Sequence, residues 1–244
     1  MAGIVELKNV SFSAQTQQIV KNFSHIYEEG KTTALVGPSG SGKSTVLKLT
    51  AGVLVPTGGE VLFRDRDIFS MTRQENMDFR RESAMVFQDS ALWANQNLDQ
   101  NLELPLKTHF PKMPKKEMDA RIKEVLKEVG YKRNLAIRPS ALSMGEQKLI
   151  GFARALLCRP KVLFLDEWTE SLDDSASNRL GQLVRRHKEE GKTVIFVSHK
   201  FTHIKNLADY IVMIVEGNLS RVFSREQIEN DENLAHYIED GIAS

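Results

Sequence analysis

The run Gly37-Pro38-Ser39-Gly40-Ser41-Gly42-Lys43-Ser44-Thr45 limits the folds open to this chain more than any other feature. The β-branched and apolar residues of Thr32–Val36 predict a strand just before it, and Val46, Leu47 and Leu49 predict a helix just after. Glycines at such a junction let the backbone curl until successive N–H groups point inward, and the helix N-terminus adds partial positive charge. The result is a cradle for oxyanions. The spacing Gly37, four residues, then Gly42-Lys43-Ser44 fits a polyphosphate: Lys43 reaches the terminal phosphates, Ser44 offers a hydroxyl to Mg²⁺, and Thr45 assists from the same turn. A Gly/Ser turn without a ligand would explain neither the lysine nor the hydroxyl pair.

Strands are expected over residues 4–12 and 19–27, then 61–63 and 84–87. Between Gln88 and Ser143 the texture becomes charged with a helical period, clearest at 118–129, where Ile122, Val125, Leu126 and Val129 share a face. This reads as an inserted helical subdomain. Alternation then resumes: a strand at 161–165, a helix at 175–190 closed by Gly191, a strand at Thr193–Val197, a helix after His199, and a strand at Tyr210–Val215. Continuous apolar strands of this kind predict a parallel sheet covered on both faces. The expected division is a core of residues 1–88 and 158–224, a helical subdomain of about 89–157, and a helical tail of 225–244.

The strand at 161–165 delivers two carboxylates, Asp166 and Glu167, at its carboxyl end, where ligands sit in open α/β sheets. Asp166 suits a Mg²⁺ site, usually through water, and Glu167 suits polarising an attacking water. Just upstream, Leu142-Ser143-Met144-Gly145-Glu146-Gln147 contains a capping box, with Ser143 and Glu146 opening a helix that runs through Leu157. A capped helix N-terminus bearing a serine hydroxyl is also an anion site.

That last motif resembles the signature sequence of ATP-binding cassette (ABC) ATPases, and further landmarks follow in the family's order over nearly the whole chain. Gln88 is similar to the glutamine that senses Mg²⁺ and the attacking water, Ser171-Leu172-Asp173 to the D-loop, and His199 to the switch histidine at the γ-phosphate. The resemblance implies an α/β P-loop NTPase fold, with a RecA-like core sheet, N-terminal antiparallel β strands and an inserted α-helical subdomain. It also implies ATP and Mg²⁺ as cofactors, with Glu167, His199, Gln88 and Lys43 catalytic and Ser44, Gln88 and Asp166 at the metal. In the family two cassettes meet head to tail, so Ser143, Gly145 and Glu146 of one face the phosphate loop, Gly37 to Thr45, of the other. Implied partners are a second cassette and transmembrane permease subunits, with the chain cytoplasmic and peripheral on the inner face of the membrane.

Several residues depart from the family pattern. Ala14 stands where an adenine-stacking aromatic is usual, leaving Phe12 as substitute or the base weakly held. Met144 replaces a glycine, Leu149 an arginine, and Trp168 the proline after the catalytic glutamate. Trp93 lies where a permease's coupling helix docks, or packs locally. Gln88-Asp-Ser-Ala-Leu92, residues 101–106 and residues 240–243 resemble cassettes that serve lipid transporters with MCE-domain subunits. A soluble ABC ATPase of translation or DNA repair and a non-hydrolysing interaction module are the alternatives. No Asn-Lys-x-Asp guanine motif occurs.

Composition fits a soluble globular protein, with 41% hydrophobic and 27% charged residues. The 33 basic and 32 acidic side chains leave a net charge of +1, giving no global footprint for nucleic acid. The acidic residue Glu6 interrupts any signal-peptide pattern, and apolar runs fall short of the ~18 residues needed to span a bilayer. A membrane role is therefore expected to come through a partner. The one cysteine, Cys158, reads as a buried helix thiol, and His187 and His203 as surface or packing residues.

Overall fold

The computed structural model describes residues 3–230. Strands β1 (Gly3–Ala14) and β2 (Gln17–Glu28) form an antiparallel hairpin with Ala14 paired to Gln17. Strand β3 (Thr32–Val36) leads through the glycine loop into α1 (Lys43–Thr50). After β4 (Gly58–Phe63) and the short β5 (Arg66–Asp67) comes α2 (Arg73–Glu82), then β6 (Ser83–Val86). Three helices follow: α3 (Leu98–His109), α4 (Lys115–Val129) and α5 (Met144–Leu156). The chain then alternates β7 (Val162–Asp166), α6 (Asp174–Glu189), β8 (Thr193–Val197), α7 (Phe201–Leu207) and β9 (Tyr210–Val215). It continues with β10 (Asn218–Ser224) and α8 (Arg225–Asn230). The 240–243 segment named above lies outside the described residues.

Two sheets result. One is antiparallel, in the order β2-β1-β4-β5, and the other has six strands in the order β10-β9-β3-β8-β7-β6. Within the second, β9, β3, β8, β7 and β6 run parallel, while β10 closes the edge antiparallel to β9. Every residue of β3, β7 and β8 is buried, the pattern of strands covered on both faces.

Alternation along these strands divides the interior into two cores. Leu163 and Leu165 face one side with Phe196, Val194 and helices α3 to α6, while Val162 and Phe164 face the other with Ile195, α1 and the antiparallel sheet. Each fully buried Leu or Phe contributes about 1.5–3 kcal/mol. Helices α3, α4 and α5 share the first core with the sheet itself: Leu98, Leu102, Leu106, Ile122 and Phe152 are continuous with Leu163 and Leu165. Capping boxes open three helices, at Thr72 and Glu75, Asn97 and Gln100, and Ser143 and Glu146. No helix among the described residues is long and apolar enough to cross a membrane.

Trp168 is fully buried, edge-on to Phe196 at 5.2 Å and stacked with His203 at 5.1 Å. The indole fills volume under the β7–α6 turn. His187 is buried as well, so of the two readings packing applies to it. Cys158 is half-buried in the turn after α5, and burial pushes its thiol up to about 11.

Candidate functional site

The glycine loop takes its shape from two conformations that other residues resist. Gly37 has φ 144°, and a Cβ there would sit 2.0 Å from the carbonyl oxygen of Ile214 on β9. Gly42, with φ 97°, is the residue from which α1 starts. Between them the Ser41 N–H donates to the Pro38 carbonyl at 3.2 Å, and the Gly217 N–H donates to the Ser41 carbonyl at 3.0 Å. The Lys43 ammonium lies inside this curl, donating to the Gly37 and Pro38 carbonyls at 2.7 and 2.8 Å. Burial holds its pKa below the usual lysine value, with Glu167 and Asp166 opposing that shift.

Strand pairing brings the carboxylates to this loop. Asp166 is completely buried at the end of β7, and Ser44 Oγ donates to its Oδ1 at 2.7 Å. Asp166 Oδ2 has no hydrogen-bond partner, with Lys48 Nζ 3.7 Å away. Glu167 has φ 45°, a left-handed conformation uncommon for a side chain of its size, and its N–H donates to the Val197 carbonyl at 3.2 Å. One carboxylate oxygen lies 3.2 Å from His199 Nε2, and the other accepts from the His199 N–H at 3.4 Å. Burial pushes the Glu167 carboxyl above its ordinary pKa, His199 opposes this, and the neighbouring Asp166 and Glu170 reinforce it.

A cavity of about 260 Å³ gathers these groups. Ser39, Gly40, Gly42, Lys43, Ser44 and Thr45 line one wall, and Gln88, Glu167 and His199 the other. Ile19 of β2 also borders it, whereas Phe12 and Ala14 do not. Gln88 is held by donating its amide to Glu170 Oε2 at 3.0 Å. The sequence reading missed one member of this region, Lys148 on α5. Its buried ammonium donates to the Gln88 carbonyl and, at 3.2 Å, to the Glu167 carbonyl, tying α5 to both loops. No motif marks Lys148; only a lysine at a core-facing helix position signals it.

The signature residues lie elsewhere. Ser143, Gly145 and Glu146 do not border the phosphate-loop cavity of their own chain. Ser143 Oγ accepts from the Glu146 N–H at 3.2 Å, and Glu146 Oε2 accepts from the Ser143 N–H at 2.9 Å. Arg133 donates to both Glu146 oxygens at 2.9 Å, so this carboxylate shapes the loop and is not free for a ligand. Gly145 is confined by the D-loop, where a Cβ would sit 2.9 Å from the Ser171 carbonyl. Met144 projects outward, 71% exposed. Trp93 is 58% exposed and lines a separate cavity of about 480 Å³ with Val53, Arg80, Phe87 and Leu104.

A strand, a phosphate loop with its lysine and serine, and a parallel strand two places along the sheet ending in Asp-Glu define the phosphate-loop nucleotide-binding class. The chain belongs to the ABC transporter family, whose model matches residues 20–170. It is 36% identical over 220 residues to PhnT of Salmonella choleraesuis, provisionally named a 2-aminoethylphosphonate import ATP-binding protein. That match covers 89% of this chain and 58% of PhnT, so the chain spans a little over half of that relative. It is 31% identical over 232 residues to MlaF of Haemophilus influenzae, an intermembrane phospholipid transport system ATP-binding protein, covering 95% of this chain and 88% of MlaF. Among solved structures, the dimeric post-hydrolysis state of the cassette MJ0796 bound to ADP and Pi superposes with a TM-score of 0.83 at 30% identity. That superposition covers 91% of this chain and 98% of that one.

Proposed function

We propose that this chain hydrolyses ATP as the energy-supplying subunit of a membrane transporter, working in a nucleotide-sandwich dimer. The observation that carries the reading is the convergence of Lys43, Ser44, Gln88, Glu167 and His199 on one cavity. The residues suit the chemistry of phosphoryl transfer, in which positioning and electrostatics dominate. Lys43 is already surrounded by carbonyls that a triphosphate's oxygens would replace. The loop from Gly37 to Thr45 supplies inward N–H groups, and Ser41 Oγ is buried without a partner.

The donor set fits Mg²⁺. Ser44 Oγ and the unpartnered Asp166 Oδ2 are hard oxygen donors, and Mg²⁺ is usually held by one or two carboxylates together with substrate phosphates. Gln88 stands at the cavity wall as a third oxygen donor. When bound, the metal neutralises developing charge on the phosphates. Glu167 orients the attacking water and takes its proton, and His199 fixes the Glu167 carboxylate and faces the transferred group. Protonated Glu167 cannot act in this way. Since burial raises its pKa, turnover is expected to fall on acidification at a pH above the ordinary carboxylate value of 4.5.

Ser143 and Gly145 enter through the partner. They stand away from their own chain's cavity, on an exposed helix N-terminus suited to an anion, and the MJ0796 relative was solved as a dimer. Glu146 then acts as a positioning residue for Ser143. Binding of ATP closes such a dimer and hydrolysis opens it, a population shift that permease subunits convert to transport. The subunit would sit on the cytoplasmic face, with exposed Trp93 and Leu104 as a docking surface for the permease. Among possible cargoes a lipid is favoured by the match to MlaF over most of both chains.

Affinity purification of the tagged chain from detergent-solubilised native membranes, followed by an ATPase assay of the recovered complex, tests the proposal. Co-recovery of a multi-spanning protein with ATP-dependent phosphate release is the expected result. Recovery of ribosomal or DNA-repair proteins would overturn it.

A further inference from the structure

A largely apolar cavity lies away from the phosphate loop, against α4 and the segment that follows it. It measures about 600 Å³, within the range of small-molecule sites. Its floor is aliphatic: Ile122 and Leu126 from α4 and Leu135 from the segment beyond. The rim is basic. Lys123, Lys127 and Lys132 border it, and among the described residues none of the three has a carboxylate within ion-pair distance. The two acidic residues at the rim, Asp99 and Asp119, both lie close to Lys115, at 3.8 and 2.6 Å. Lys115 also pairs with Glu103, so it does not cancel both carboxylates, but three lysines against two aspartates still leave the mouth net positive.

Two further observations point to a ligand. Tyr131 lines the cavity with only 6% of its surface exposed, and its hydroxyl is buried with no hydrogen-bond partner. Such a group costs free energy until an acceptor reaches it, and because it is closed off from water an acceptor reaches it only when the Tyr131 ring turns toward the cavity. Arg133 also lines the cavity, and it is the residue that grips Glu146 of the signature capping box. An anion at the mouth would compete with Glu146 for this guanidinium.

We propose that this cavity binds a soluble amphipathic carboxylate, its chain on the Ile122, Leu126 and Leu135 floor and its headgroup among Lys127, Lys132 and Arg133. Occupation draws Arg133 away from Glu146 and loosens the capping box that sets the position of Ser143. The carboxylate matches the lysine rim and the aliphatic chain matches the floor, and bulk charge alone would not require the floor. Binding at this cavity does not rest on the proposed function, because it uses neither the phosphate loop nor a second copy; only its consequence for Ser143 does.

The test is calorimetric titration of the nucleotide-free full chain with sodium decanoate below its micelle-forming concentration. Saturable binding of one decanoate per chain is expected. Affinity should fall at least about tenfold in the double variant Lys127→Glu, Lys132→Glu and more modestly in Tyr131→Phe. The two lysines are exposed and the Phe is isosteric, so circular dichroism should show all three proteins folded. Hydrogen exchange at the Ser143 and Glu146 amides, which the capping box protects, should accelerate on adding decanoate to the natural chain. Absence of binding, or equal binding to the charge-reversed variant, would overturn the site. Binding with unchanged exchange at those two amides would overturn its link to the signature loop.

Discussion

Glu167 concentrates the physical demands of the site in one residue. It is nearly buried, adopts a left-handed backbone and shares its carboxylate with His199. Glu167→Gln keeps shape and most hydrogen bonding while removing the proton acceptor, so turnover should fall about 10²–10⁴-fold with nucleotide affinity retained. Unchanged phosphate release in a steady-state assay would remove Glu167 from its assigned role. Lys148 offers a different kind of test. Lys148→Met keeps the aliphatic stem but severs the ties to the Gln88 and Glu167 carbonyls, so kcat should drop while ATP affinity, measured by fluorescence titration, holds. Lys43, Ser44, Asp166 and Glu167 were readable because adjacency in sequence carries their chemistry. Lys148 was not, since its value comes from the packing of α5 against two distant loops. Glu146 shows the opposite lesson: the capping box was visible, but Arg133, which occupies its carboxylate, approaches from thirteen residues upstream.

At the scale of elements, the buried strands and the amphipathic α4 announce themselves by apolar period, and β3, β8 and β9 match their expected limits. Helix α2 does not, because only Phe79 of its ten residues is buried and the rest, apart from Met77, is charged or polar. It is held instead by its capping box and by Arg80, which donates to the Ala51 and Gly52 carbonyls at 2.9 and 2.6 Å. Helix α3 hides behind Pro105 in its last turn, and β10 reads as polar because it forms a sheet edge. Helix α6 carries a pH prediction. Its buried His187 has a pKa lowered to about 4 by burial, with Lys192 lowering it further and Glu190 opposing. The unfolded chain, with an ordinary histidine value of 6.5, takes up the proton first, so stability is intact above pH 6.5 and lost as pH falls toward 4. At pH 5 this one residue costs about 2 kcal/mol. Denaturant melts at pH 7 and 5 should show a larger loss for the natural chain than for His187→Gln, and equal losses would contradict the assignment.

For the molecule as a whole, two sheets and their helices leave Ser143 and Gly145 off the phosphate-loop cavity of their own chain. The central claim is that a working site needs that cavity and those two residues from different copies. Glu167→Gln with ATP should therefore run as a dimer in light scattering, and as a monomer once ATP is removed. The most direct measurement mixes two inactive variants, Lys43→Ala and Ser143→Glu, each carrying one broken half. A mixed dimer contains one site with an intact Lys43 from the second variant and an intact Ser143 from the first. Random pairing makes about half the dimers mixed, each with one of two sites whole, so the equimolar mixture should recover up to about a quarter of the natural ATPase rate. If each chain held a complete site of its own, every site in the mixture would stay broken, and no recovery would contradict the account.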